Sequence, residues 1–389
     1  MKLLFVHDHI FYKTKENQVY SAAAYPIYAW DRYLEFFDTI DVIGRYGGLY
    51  DSRENSLVLS SRENVNFHFV DNIASPIKLI KNKTKVKNEI KKLLNASDAL
   101  VVRLPSENGL IAIQCAKELG RPYAVEVVGC VWDALWNHGS ILAKLYAPYS
   151  FLKMRKAVSS SDMNLYVTEK FLQKRYPSNV KAVSINASNV EISVDENLHT
   201  KKFDKTKKKV FGLIGNYKTR YKGLHIAIEA FGNIKEQIGD FEFRILGKGN
   251  SNDYKELIEK YSLEKNVIFS GSLPNGDAVL NWLDEIDFYL QPSLQEGLPR
   301  ATIEAMSRAC VCVGSDTGGI PELLNDEFVS KAGCSESLSK VILNTLNESN
   351  EELEKISKMN YEKSKQYDKS YIHKTRSEFY GKLYEKAKV

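Results

Sequence analysis

The chain has 389 residues, enough for about two domains at roughly 100–200 residues each, and far more than a small disulfide-stapled scaffold needs. With 43% hydrophobic and 26% charged residues it is neither a disordered chain nor a multispan membrane protein. The net charge of +5 is too slight to mark a nucleic-acid binder, so interest falls on where the lysines cluster. Five cysteines (Cys115, Cys130, Cys310, Cys312, Cys334), an odd count without C-x-x-C or zinc-ligand spacing, speak for a reducing, cytoplasmic setting and against a disulfide framework.

The chain opens on Leu3–Val6, too short an apolar run for a signal peptide or a membrane span, and it reads as a first strand. Short apolar runs then alternate with helical patterns: Asp41–Ile43, Val65–Val70, Ala99–Val102, Tyr123–Val128 and Asn164–Val167 as strands, with Lys78–Leu94 and Leu110–Leu119 as helices. A lysine-rich stretch, Glu196–Lys209, reads as an exposed linker, with a domain boundary near Asp195–Lys205. A second train of strands follows at Val210–Ile214, Phe243–Leu246, Val267–Phe269, Phe288–Gln291, Val311–Gly314 and Phe328–Val329. Beyond Ser349 the pattern is helical and charged. The reading is therefore α/β, with two Rossmann-like doubly wound parallel sheets facing across a cleft: a first domain over 1–198, a second over 199–365, and a closing helix over 366–389 that packs back toward the first domain.

Ligands of open α/β sheets bind at the carboxyl ends of the strands. The densest such position is Gln291–Met306, which follows a strand and opens a helix with Pro299 in its first turn. The amides around Leu298–Thr302 would form an anion site suited to a diphosphate. Glu296 before the helix and Glu304 inside it supply acceptors for sugar and ribose hydroxyls, and negative charge to steady a developing oxocarbenium ion.

With the glycine-rich turn Thr317–Glu322 after the next strand, this segment resembles the retaining glycosyltransferases of the GT-B fold, family 4, whose E-x7-E motif matches Glu296 through Glu304. The segment Gly215–Gly223 looks like that family's pyrophosphate-binding turn: Lys222 matches its phosphate lysine, while Asn216 stands where an arginine is usual, so that Lys218 or Arg220 would reach the phosphates instead. The resemblance is strong over Val210–Leu324. It implies a donor site built from Gly215, Asn216, Lys218, Arg220, Lys222, Gly271, Ser272, Glu296, Gly297, Leu298, Pro299, Thr302 and Glu304. Glu296 and Lys222 would carry the chemistry, and Asp133 and His138 would join them by likeness to the loop where relatives contact the donor sugar. His7, Asp8 and Arg103, at strand ends of the first half, fall on the acceptor side.

The activity so implied is metal-independent transfer, without a cofactor, from a nucleotide-diphosphate sugar (UDP favoured over GDP) to a glycan or lipid-linked acceptor in cell-surface polysaccharide or lipid-linked glycan assembly. A sugar-nucleotide epimerase or hydrolase, or a noncatalytic nucleotide-sugar binder, are the rival readings. The helix Lys78–Leu94, with seven lysines, one glutamate and an apolar stripe of Leu79, Ile80, Val86, Ile90, Leu93 and Leu94, is either an ordinary helix with a solvated basic face or a peripheral contact with anionic membrane; Lys144–Lys156 would join it in the second case. Cys310 and Cys312 alternate along a strand and read as core, and His7 and His9 as cleft or packed histidines rather than a metal pair.

Overall fold

The computed structural model describes every residue except 23–24, 53–56, 74, 138, 191, 195–200 and 275. In the first domain the strands are β1 (Lys2–Lys13), β2 (Val19–Ser21), β3 (Thr39–Leu49), β4 (Val58–Leu59), β5 (Val65–Val70), β6 (Ala99–Leu104), β7 (Tyr123–Val127), β8 (Met163–Tyr166) and β9 (Val183–Asn186). Their parallel order is β5-β3-β1-β6-β7-β8-β9, with β2 added antiparallel to the far end of β1 and β4 antiparallel to β2. One face is covered by helices Pro76–Asn95, Glu107–Leu119 and Ile141–Ser159, which bury Val86, Ile90, Ile111, Met154 and Val158. The other face buries Trp30, Tyr33 and Phe37. Ile80, assigned to the apolar stripe by the sequence, is 84% exposed: Val86, Ile90 and Leu94 alone turn fully inward.

The second domain holds β10 (Lys209–Ile214), β11 (Phe241–Leu246), β12 (Val267–Gly271), β13 (Phe288–Gln291), β14 (Val311–Ser315) and β15 (Val329–Ser330), all parallel in the order β12-β11-β10-β13-β14-β15. The order reverses between β10 and β13, which opens a crevice at their carboxyl ends. Phe211, Phe231, Phe243 and Phe288 pack ring against ring in its core.

Two elements depart from the sequence reading. The first strand does not end at Val6. A bulge lets β1 run on, because Ile10 and Phe11 find partners on β3 while Phe11 to Lys13 pair with β2. The lysine-rich linker is not free from residue 201 on: Phe203 packs on Phe288, and Lys201 Nζ donates to the carbonyls of Leu283 (3.3 Å) and Asp284 (2.7 Å). The part of the proposed boundary over 195–200 lies outside the described residues.

Two crossings join the domains side by side, through a parallel bridge of Ile192 with Asp368. Past that bridge, helix Lys369–Ala387 lies on the first domain, where Phe379, Tyr380 and Leu383 are buried with Phe5 and Phe37.

Candidate active site

Along the carboxyl edge of the second sheet, neighbouring strands set their loops in a row. Gly247 N donates to Gly271 O (2.6 Å), Gly215 N to Leu246 O (2.9 Å), and Leu294 N to Tyr221 O (2.7 Å). The turn Arg220–Lys222 closes on Gly223, whose φ is +75° and where a Cβ would lie 1.9 Å from the Pro292 carbonyl oxygen. Only glycine allows that approach. It brings Lys222 Nζ to 2.7 Å from Glu296 Oε1.

Glu296 Oε1 also accepts from Ser293 Oγ (2.9 Å) and Gln291 Nε2 (3.1 Å). Gln291 Oε1 accepts in turn from Tyr289 OH (2.9 Å) and Thr302 Oγ1 (3.3 Å). Tyr289, Gln291, Ser293 and Thr302 are fully buried, so this chain of bonds fixes one oxygen of Glu296. Its Oε2 accepts nothing among the described residues. Sequence reasoning missed Tyr289 and Ser293 as support for Glu296. The signal for them is polar groups at every second position of a strand that is otherwise apolar.

Helix Arg300–Ser307 starts at Pro299, and no side chain caps its first amides. Glu304, one turn in, is held by Arg300 Nε at 2.8 Å. Thr302 can offer a ligand only its amide, because its hydroxyl is turned onto Gln291. Leu298 packs against the cores of both domains.

The structure separates other proposed donor residues from this group. Asn216 Oδ1 accepts from Lys218 N (2.8 Å) and its carbonyl from Thr219 (3.1 Å), so its side chain shapes its own turn. Lys218 and Arg220 are exposed and line a separate hollow with His225, Asp253 and Tyr254, which includes neither Lys222 nor Glu296. Of these three basic side chains only Lys222 is bonded to Glu296. Gly271 and Ser272 stand exposed at the end of β12, beyond Gly247.

On the first domain, Asp133 is paired with Arg175 Nη1 at 2.9 Å in the first turn of helix Val131–Trp136 and touches neither Lys222 nor Glu296. His138 lies outside the described residues. Asp8 is a helix cap: its carboxylate accepts from the amides of Glu107 (2.7 Å) and Asn108 (3.1 Å). Burial pushes its carboxyl up, against the pull of those two amides. Arg103 is drawn to Glu126, with Nε 2.8 Å from Oε2, and also donates to Tyr25 OH (3.1 Å), which lies 3.3 Å from His7 Nδ1. Burial and the Arg103 charge hold His7 well below its ordinary 6.5, and His9 at about 4, so both rings are neutral at pH 7. No cluster of three or more His, Cys, Asp or Glu fit for a metal occurs among the described residues.

The two edges meet directly. Within the second domain Gly319 N donates to Gly297 O (2.7 Å), and across the boundary a Cβ on Gly297 would lie 2.6 Å from the Val128 carbonyl oxygen of the first domain. Glu322 reaches across to accept from the amides of Glu169 (2.6 Å), Lys170 (3.0 Å) and Phe171 (2.5 Å). Asn137 Nδ2 donates to Leu294 O at 3.1 Å.

Residues 194–363 match the family described as Glycosyl transferases group 1. Protein CapJ of Staphylococcus aureus is 35% identical over 345 residues, 88% of this chain and 85% of CapJ. The putative colanic acid biosynthesis glycosyltransferase WcaL of Escherichia coli (strain K12) is 42% identical over 113 residues, 27% of this chain and 28% of WcaL. Among solved structures, Anabaena Alr3699/HepE in complex with UDP superposes with a TM-score of 0.67 at 15% identity, over 98% of this chain and 100% of that one. Sucrose-phosphate synthase from Thermosynechococcus elongatus does so at 0.70 and 12% identity, over 99% and 100%. With two parallel α/β domains closed over the Lys222–Glu296 crevice, the chain belongs to the glycosyl transferases group 1 and has the GT-B fold.

Proposed function

We propose that this glycosyltransferase is a retaining, metal-independent enzyme that moves a sugar from a UDP-sugar to an acceptor hydroxyl during polysaccharide or lipid-linked glycan assembly. The observation that carries the reading is the Lys222–Glu296 pair, set at the crevice mouth by a buried relay that engages one carboxylate oxygen, Oε1. HepE, on the same fold, is described in complex with UDP, and WcaL is named for colanic acid biosynthesis; both support the donor and the pathway class.

In this reading the diphosphate lies against Lys222 and the amides that open helix Arg300–Ser307, Glu304 takes the ribose hydroxyls, and Glu296 Oε2 takes the sugar hydroxyls. As the bond from the anomeric carbon to the diphosphate breaks, negative charge gathers on the departing phosphate and positive charge on the carbon. Lys222 meets the first and Glu296 the second, and neither needs to reorganise as charge develops. The acceptor attacks the face the diphosphate leaves, and its proton passes to the leaving phosphate. The contacts at Gly297 and Glu322 keep water from taking the acceptor's place.

The test is thermal stabilisation by UDP, GDP, ADP and their sugar conjugates, with wild type and Glu304→Ala. UDP compounds should raise the melting temperature of wild type and fail to raise that of the variant. With the donor so named, the anomeric configuration of the product reads out retention, and activity in chelator reads out metal independence. Stabilisation by no nucleotide in folded protein would overturn the donor site; rapid conversion of donor to an epimer without acceptor would overturn transfer.

A further inference from the structure

Helix Ile141–Ser159 is apolar on both sides. Its inner side places Ala147, Met154 and Val158 in the first domain. On its outer side Ile141, Leu142, Leu145, Tyr149 and Leu152 are 59–77% exposed, and Trp136 of the preceding helix, 46% exposed, extends the row. A helix on the surface of a globular domain turns a polar face to water, and contiguous exposed apolar side chains mark a contact surface.

The charged side chains of the helix itself are all basic. The helix carries Lys144, Arg155 and Lys156 and no acidic residue, its Lys153 being turned inward onto Glu107, and Lys144 Nζ stands 5.5 Å over the Trp136 ring. A second exposed apolar pair, Ile77 (80%) and Ile80 (84%), begins helix Pro76–Asn95, which has seven lysines and one glutamate. Both helices belong to the layer that buries Val86, Ile90, Met154 and Val158. In parallel α/β units the helices run opposite to the strands, so both beginnings lie at the carboxyl edge of the sheet, the edge that faces the crevice.

We propose that this face, the outer side of Ile141–Ser159 with the start of Pro76–Asn95, docks on an anionic lipid bilayer. Apolar side chains would enter the headgroup boundary while the lysines meet the lipid charge. A second copy of the chain is a poor occupant, because a two-fold contact would set the same basic helices against each other. The position has a consequence for the reaction. Tyr146 OH and Lys153 Nζ, on the inner side of the same helix, bond Glu107 (3.3 and 2.5 Å) beside the Asp8 cap, and Asn137, next to Trp136, holds the loop that bears Glu296. Docking would thus bring the crevice within about a helix diameter, ~10 Å, of the lipid surface, and the acceptor would be lipid-borne. That last step rests on the proposed transferase reading; membrane docking itself does not.

The full chain should be sedimented with vesicles of phosphatidylcholine alone and of phosphatidylcholine with about a third phosphatidylglycerol. Wild type should partition onto the anionic vesicles about tenfold or more above the neutral ones, and Leu142→Ser/Leu145→Ser/Leu152→Ser should lose about tenfold or more of that binding. The melting shift with UDP checks that the variant is folded; if the shift is lost only there, Lys144→Glu/Lys156→Glu replaces it, with the same expectation. Equal binding to both vesicles, or unchanged binding by the variants, would overturn the proposal. So would a wild-type dimer, seen by light scattering, that the leucine variant makes monomeric without any vesicle binding. Vesicle binding by wild type that shows no UDP shift would instead count against the donor site and leave the docking face standing.

Discussion

Glu296 accepts three hydrogen bonds on one oxygen, from Lys222, Ser293 and Gln291. Lys222 carries charge, whereas Ser293 and Gln291 are neutral and buried, so their part is to hold the carboxylate plane in one orientation. Ser293→Ala removes one of the two neutral donors without adding volume. A hydrogen bond to a charged carboxylate contributes about 1.5–3 kcal/mol, which corresponds to a fall of about ten- to a hundredfold in kcat if the loss is felt only in the transition state. We expect that fall with little change in UDP affinity, checked by steady-state kinetics beside a UDP melting curve; a loss of affinity with kcat intact would show that Ser293 serves binding instead. Glu296, Glu304 and Lys222 stand out in the sequence because their spacing is local to one loop or one turn. Asp8 and Arg103 do not read as they fold: each sits where a ligand contact is plausible, yet each is drawn to a partner remote in sequence, the Glu107 amide and Glu126, that no local pattern discloses.

At the scale of elements, helix Lys369–Ala387 is tied to the first domain by charge as well as by apolar burial. Arg376 donates to the carbonyls of Ala187 and Ser188 (3.0 Å each), and Tyr380 OH donates to Glu126 Oε1 (2.6 Å), which also accepts from Tyr33. Burial alone would push the Glu126 carboxyl up, but the charges of Arg103 and Arg376 and the two phenol hydroxyls outweigh it and hold it at about 2. A carboxyl held below its ordinary 4.5 stabilises the fold in full above about pH 4.5, and that contribution is lost as the pH falls toward 2. The difference amounts to about 3 kcal/mol. Glu126→Gln should therefore lower stability at pH 7, where it leaves the Arg103 charge without its carboxylate, and should flatten the acid dependence expected of wild type between about pH 5 and 3. Urea unfolding across that range measures both, and parallel slopes in the two proteins would show that Glu126 is not the group responsible. The parallel strands were legible because runs such as Val311–Gly314 are apolar from end to end. The extension of β1 was not, because His7, Asp8 and His9 interrupt its alternation and only pairing with β2 and β3 continues it.

For the whole molecule the question is what makes two domains act as one site. Gly297 lies one residue from Glu296 and against the Val128 carbonyl of the other domain, and Glu322 takes three amides at the start of helix Phe171–Arg175. These contacts couple the donor loop to closure: the residue beside Glu296 is seated only when the domains are together. A methyl at Gly297 would press on a backbone oxygen at 2.6 Å, and since the neighbour is main chain the relief must come from parting the domains. The proposed donor groups all lie on the second domain, so UDP binding should persist in Gly297→Ala. Transfer should fall by about tenfold or more, because orientation across the crevice is lost, and the share of donor that is hydrolysed should rise as water enters. The ratio of free sugar to transferred sugar, measured at matched donor occupancy, separates this from simple damage to the loop. A loop defect lowers both products together, whereas loss of closure lowers transfer and raises the ratio, and an unchanged ratio with unchanged rate would mean that the approach at Gly297 is not what holds the domains closed.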